Sequence, residues 1–160
     1  GCPSADGWFT SGGQRVSSDH GPRLSVIVGI GVDLCEIARI RDAIARHGES
    51  FAARILESKE LDAYHALNPS AKPAFLAKRF AAKEAVAKAL GTGIGRGFGF
   101  HDVAVDHDEL GRPLVRLNPN SDALSEARQQ RIHLSISDER AHAVAFCTIE
   151  TSSTDARRDV

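Results

Sequence analysis

Three side chains stand at positions where they could handle phosphate. Asp33 follows the run Ser25-Val26-Ile27-Val28-Gly29-Ile30-Gly31-Val32, which is nearly all apolar and rich in β-branched residues. A carboxylate at the end of such a run is costly to bury without a partner. It is either a helix N-cap just before Leu34 or a metal ligand at the C-terminal end of a strand. Glu84 and Lys88 lie one helical turn apart, on a stripe shared with Phe80 and flanked by Lys83 and Val86. They form either a solvated ion pair or a constellation in which Glu84 holds Mg²⁺ and Lys88 joins it in gripping a pyrophosphate. Mg²⁺ favours a few protein oxygens, with phosphate completing its shell.

A loop in which glycine alternates with other residues follows that stripe: Gly91-Thr92-Gly93-Ile94-Gly95-Arg96-Gly97-Phe98-Gly99. Closely spaced glycines let backbone N–H groups approach a phosphate, or they simply stop a helix. No Walker string and no Rossmann fingerprint is present. His133, Ser135 and Ser137 alternate, so they share one face of a strand and do not form a hydrolase triad. There is no G-x-S-x-G elbow.

The elements that must position these residues follow from periodicity. Ser25–Val32 reads as a buried first strand that Asp33 ends. Its two glycines suggest that another backbone or a ligand comes close. Leu34, Ile37, Ile40 and Ile44 then repeat at helical spacing up to the stop at His47-Gly48. The polar face of this helix carries Arg39, Arg41, Asp42 and Arg46. Phe51–Leu67 reads as one or two short helices, broken by Asn68-Pro69-Ser70 and Pro73. Ala74–Leu90 is dense in Ala, Lys, Glu and Leu and reads as a long helix. The last third is mostly strand: His101–Asp106, Leu114–Leu117, Ile132–Ser137 and His142–Ile149, with a helix expected at Ser121–Gln130. The class is α+β, a single domain with a mainly antiparallel sheet packed against a long helix.

The chain has 160 residues, 42% hydrophobic and 26% charged, which suits one soluble domain with its own core. Residues 1–24 are polar and rich in Gly and Ser, and read as a flexible extension or remnant outside the fold. The domain is expected at 25–150, with a polar tail at 151–160. A net charge of −1 disfavours bulk attraction to nucleic acid. No apolar run approaches the ~20 residues of a membrane span. The three cysteines, Cys2, Cys35 and Cys147, form no C-x-x-C pair, so reduced thiols and a cytoplasmic location are expected.

The strings Gly29-Ile30-Gly31-Val32-Asp33 and Arg79-Phe80-Ala81-Ala82-Lys83-Glu84-Ala85-Val86-Ala87-Lys88-Ala89, with Gly91-Thr92-Gly93-Ile94 after them, closely resemble the holo-acyl-carrier-protein synthase family. This is the small, single-domain branch of the 4′-phosphopantetheinyl transferases. The resemblance extends from about Ser25 to Glu150 and implies transfer of 4′-phosphopantetheine from coenzyme A to a serine of an acyl carrier protein. It implies Asp33 and Glu84 as Mg²⁺ ligands and Lys88 as a contact to coenzyme A phosphate, with all three in the catalytic set. Gly91, Thr92 and Gly93 match the segment against the nucleotide. Arg39 and Arg54 match positions facing the acidic carrier, and Arg46 joins them on helix-face grounds. A homotrimer with clefts between subunits is also implied. One departure is Asp138, where some relatives carry histidine after the strand.

Other readings use the same residues. A Mg²⁺-dependent hydrolase of a nucleotide pyrophosphate would need only water as acceptor. A non-catalytic binding module would leave Asp33 as a cap and Glu84–Lys88 as a surface pair. Binding of nucleic acid through the arginines would show a steep salt dependence.

Overall fold

The computed structural model describes residues 24–152. The expected extension at 1–24 and tail at 151–160 therefore fall almost wholly outside the described residues, although Thr151 and Ser152 still belong to the last strand. Strand β1 (Ser25–Glu36) leads into α1 (Ile37–His47), α2 (Glu49–Ile55) and α3 (Ser58–His65). The long α4 (Lys72–Ala89) is followed by the hairpin β2 (Val103–His107) and β3 (Pro113–Leu117), then by β4 (Arg131–Asp138) and β5 (His142–Ser152). The main sheet is three-stranded and antiparallel, in the order β1-β5-β4, and β2-β3 forms a separate two-stranded sheet. Among the described residues no helix is long and apolar enough to cross a membrane.

Helix α4 lies across β1 and β5, and alanine lets it approach closely. Ala81, Ala82, Ala85, Val86 and Ala87 are fully buried, as are Ala143, Ala145 and Cys147 on β5. The approach is tightest at the glycines of β1. A Cβ added at Gly31 would sit 2.7 Å from the Ala89 amide nitrogen and closer still to the Ala85 carbonyl oxygen. One added at Gly29 would press on the Ala89 carbonyl group in the same way. The glycines of β1 thus meet another backbone, one of the two causes expected from the sequence. Around this contact Ile55, Leu56, Tyr64, Leu76, Phe98 and Leu124 close the core. Each such large apolar side chain contributes about 1.5–3 kcal/mol when fully buried.

Four expectations need correction. β1 does not end at Asp33; it continues to Glu36, and Leu34 lies in the strand rather than on α1. Asp33 is consequently not the cap of α1. Glu36 occupies that position without a side-chain bond, and the first helical amide, that of Ile37, donates 2.8 Å to the Ala141 carbonyl in the β4–β5 turn. Nor is β1 buried on both faces within the chain: Ile30 is 65% exposed, Val32 54% and Leu34 65%. Pairing sets Val32 opposite Phe146 and Leu34 opposite Val144, and these β5 residues are exposed too. An apolar outer face results, opposite the one that α4 covers.

The fourth correction concerns Ser121–Gln130, which forms two 3₁₀ turns, Asp122–Leu124 and Ala127–Gln129, instead of a helix. Only Leu124 and Ala127 are buried there. That spacing of three suits 3₁₀ geometry and leaves no stripe to hold an α-helix. Pro73, read as a breaker, sits in the first turn of α4, where proline is tolerated.

Candidate functional site

Strand alternation carries the glycine face of β1 forward to Asp33. Gly31 and Asp33 point the same way, towards α4. On α4, Ala85 and Ala89 meet the strand, and the residues just before them, Glu84 and Lys88, emerge at its edge beside Asp33. Lys88 Nζ donates to Asp33 Oδ1 at 2.9 Å and to the Val32 carbonyl at 2.9 Å. The lysine therefore pairs across to the strand. It does not form the i,i+4 bridge with Glu84 that helical spacing alone allows.

Asp33, Glu84 and Lys88 open into a cleft of about 500 Å³. Its walls include Leu34, Ile40, Phe51 and Phe80, with Arg39 at the side. Glu84 has no hydrogen-bond partner among the described residues. Partial burial and then the charge of Asp33 push its carboxyl above the usual range, and Lys88 opposes this. Two carboxylates in one cleft with only one ammonium between them form an acceptor set that a hard cation would complete. No cluster of three or more His, Cys, Asp or Glu occurs among the described residues. The protein thus offers two oxygen ligands, and their chemistry fits Mg²⁺ finishing its shell with water and phosphate.

The glycine loop follows one of its two sequence readings, the helix stop. The amides of Gly91, Thr92 and Gly93 donate to the Lys88 and Ala87 carbonyls at 3.0, 3.2 and 3.1 Å. Gly91 and Gly93 take φ of 77° and 65°, the left-handed turn that closes a helix. These N–H groups are spent on ending α4, so they are not free to cradle phosphate. What the loop offers a ligand is surface, since nothing lies within 4 Å of where a Cβ would be at Gly91 or Gly93.

Arg39 and Arg46 lie seven residues apart on α1, two turns along one face, and Ala43 of that face lines the cleft with Arg39. Arg54, in the last turn of α2, sits over the Phe51 ring at 5.9 Å. Arg39 and Phe51 thus line the cleft, with Arg54 over the Phe51 ring, whereas Arg46 stands exposed in the last turn of α1. Asp138 is held at 3.3 Å by Lys78 of α4 and does not line the cleft.

Sequence reasoning passed over Lys83. Its Nζ is fully buried and donates to Glu60 Oε2 at 2.6 Å, to the Ile55 carbonyl at 2.6 Å and to the Phe100 carbonyl at 3.1 Å. Burial pulls this ammonium below its ordinary range, and Glu60 pulls it back. Arg79 adds a longer contact to Glu60 at 3.5 Å and lies over the Phe75 ring at 4.7 Å. The signal was present in the sequence: Lys83 shares a stripe with Leu76, Arg79 and Val86, whose apolar members are core.

The match to the 4′-phosphopantetheinyl transferase superfamily model spans residues 29–147, from the first glycine of β1 into β5. The chain belongs to that superfamily. Among similar proteins, the holo-[acyl-carrier-protein] synthase of Vibrio cholerae is 52% identical over 126 residues, covering 78% of this chain and 98% of the relative. That of Azoarcus is 51% identical, covering 79% and 99%. The crystal structure of holo-[acyl-carrier-protein] synthase from Neisseria meningitidis superposes with a TM-score of 0.72 at 40% identity, over 79% of this chain and all of that one. The Bacillus anthracis enzyme, solved in complex with CoA (3′,5′-ADP), gives 0.67 at 38% identity over 79% and 98%. Both members of the superfamily share the α+β arrangement described above.

Proposed function

We infer that this chain transfers 4′-phosphopantetheine from coenzyme A to a serine of apo-acyl carrier protein, giving holo-acyl carrier protein and adenosine 3′,5′-bisphosphate. The observation that carries this reading is the convergence of Asp33, Glu84 and Lys88 in one cleft, in a chain whose relatives are named for this synthesis. Asp33 and Glu84 would hold Mg²⁺, which when bound neutralises pyrophosphate charge that otherwise repels a nucleophile. Lys88 adds a second positive charge for the phosphates.

The serine oxygen attacks the phosphorus on the pantetheine side. The phosphorus–oxygen bond to adenosine 3′,5′-bisphosphate breaks, and that product leaves with the electron pair. Glu84, whose carboxylate lines the cleft, is the candidate acceptor of the serine proton. The surface at Gly91, Thr92 and Gly93 lies against the nucleotide. Arg39, Arg46 and Arg54 steer the acidic carrier and fix its register.

A homotrimer with its clefts between subunits gives the apolar outer face of β1 and β5 a cover. That face, with Ile30, Val32, Leu34, Val144 and Phe146, supports self-assembly.

The test is intact-mass analysis of apo-acyl carrier protein incubated with the chain, coenzyme A and Mg²⁺, beside a Glu84→Ala variant. A gain of one phosphopantetheine unit with the native chain and none with the variant is expected. Release of free phosphopantetheine without carrier modification would make the chain a hydrolase. No turnover of any kind would leave a binding module.

A further inference from the structure

The polar cluster beneath the cleft has a role beyond filling space. Lys83 is the sequence neighbour of Glu84, yet it points into the core. Its three acceptors come from three separate segments: the last residue of α2, the first turn of α3, and Phe100 just after the glycine loop. All three N–H groups of the ammonium are thereby used. Glu60 extends the cluster, its Oε1 accepting the Val105 amide at 3.1 Å and its Oε2 the Glu57 amide at 2.9 Å.

A buried ion pair adds little stability over well-packed apolar residues. This one, however, supplies what a methionine would not, namely donors that pin two backbone carbonyls. The Ile55 carbonyl fixes the end of α2, whose Phe51 forms a cleft wall and whose Arg54 covers it. The Phe100 carbonyl fixes a ring that packs on Phe80, the facing wall, at 5.4 Å. The Phe51 wall is thus referenced to the turn of α4 that bears Glu84, and the Phe80 wall, carried by α4 itself, is backed by Phe100.

We propose that Lys83 and Glu60 are positioning residues that set the carrier-facing walls of the cleft against Glu84, acting on the carrier serine's approach and not on nucleotide binding. The proposal rests on the transferase reading above. The nucleotide side is independent of the cluster, because Gly91–Gly93 are fixed by bonds to the end of α4.

The experiment compares the full chain with Lys83→Met and Glu60→Gln variants by steady-state kinetics, calorimetric binding of adenosine 3′,5′-bisphosphate, and amide hydrogen exchange. In both variants KM for apo-carrier should rise about tenfold or more, with adenosine 3′,5′-bisphosphate affinity held within about twofold. Exchange should quicken in α2 and around Phe100–Val105 but not at the end of α4. If carrier KM and exchange in α2 stay native while only thermal stability falls, the cluster is structural and the proposal is overturned. A parallel loss of nucleotide affinity would overturn it as well. Glu60→Gln keeps an acceptor for the Val105 amide and decides the matter should Lys83→Met fail to fold. Absence of transfer by the native chain would refute the transferase reading, while the exchange data would still decide the linkage.

Discussion

Replacing Gly31 by alanine tests the link between backbone packing and the cleft. The new Cβ would meet the Ala89 amide nitrogen at 2.7 Å, where ordinary contact begins at 3.4 Å, and would meet the Ala85 carbonyl oxygen more closely. Both obstacles are backbone, so no rotamer change relieves them, and β1 and α4 must part by about 1 Å. Overpacking of this kind costs about 1–3 kcal/mol, and the upper half of that range is expected here. For a domain of this size that lowers Tm by roughly 5–12 °C. The same parting moves Asp33, two residues along the strand, away from Glu84 and Lys88. Displacements near 1 Å cost on the order of 100-fold in rate. Gly29→Ala, four residues from Asp33, should lose comparable stability with a smaller loss of rate. Carrier modification followed by mass, with Tm by calorimetry, reads both effects. A folded Gly31→Ala enzyme with kcat/KM within about threefold of native would refute the reasoning.

Lys88→Met should tighten Mn²⁺ binding measured by calorimetry without nucleotide, since it removes the ammonium that holds Asp33, while weakening adenosine 3′,5′-bisphosphate. Weaker Mn²⁺ binding would show that the lysine supports the metal instead. Ile30→Glu should convert the assembled chain to monomers by light scattering; a native chain that is monomeric at micromolar concentration would remove the case for the trimer. Burial pushes the Cys35 thiol up to about 11 and the Cys147 thiol up to about 12. Both should therefore resist iodoacetamide at pH 7.5 by peptide mapping until the chain is unfolded. Rapid labelling of either in the folded protein would contradict its placement.

The geometry of the candidate site was largely legible because its parts are local patterns. Glu84 and Lys88 declare their shared edge through helical spacing, and Gly29 and Gly31 signal a close backbone. What periodicity could not supply was the partner of each group. Spacing alone favoured a Glu84–Lys88 bridge, but tertiary packing gave Lys88 to Asp33. The apolar run of β1 read as doubly buried because sequence does not say whether a face is covered by its own chain or by another. The end of β1 was misplaced since Leu34 fits both a strand and a helix stripe. Lys83 was missed because its acceptors lie 28, 23 and 17 residues away and two of them are backbone carbonyls, which have no side-chain signature.

The order β1-β5-β4 has a consequence for how the enzyme comes into being. Among the described strands the middle one is synthesised last, after every residue of the cleft. Until β5 leaves the ribosome, β1 and β4 have no hydrogen-bonding partner in the main sheet, and α4 lacks half of the surface on which its alanines pack. Such long-range pairing is paid for in loop entropy before it is rewarded. The nascent chain should thus carry Asp33, Glu84 and Lys88 unassembled until β5 inserts, and activity should arise in one step at that point.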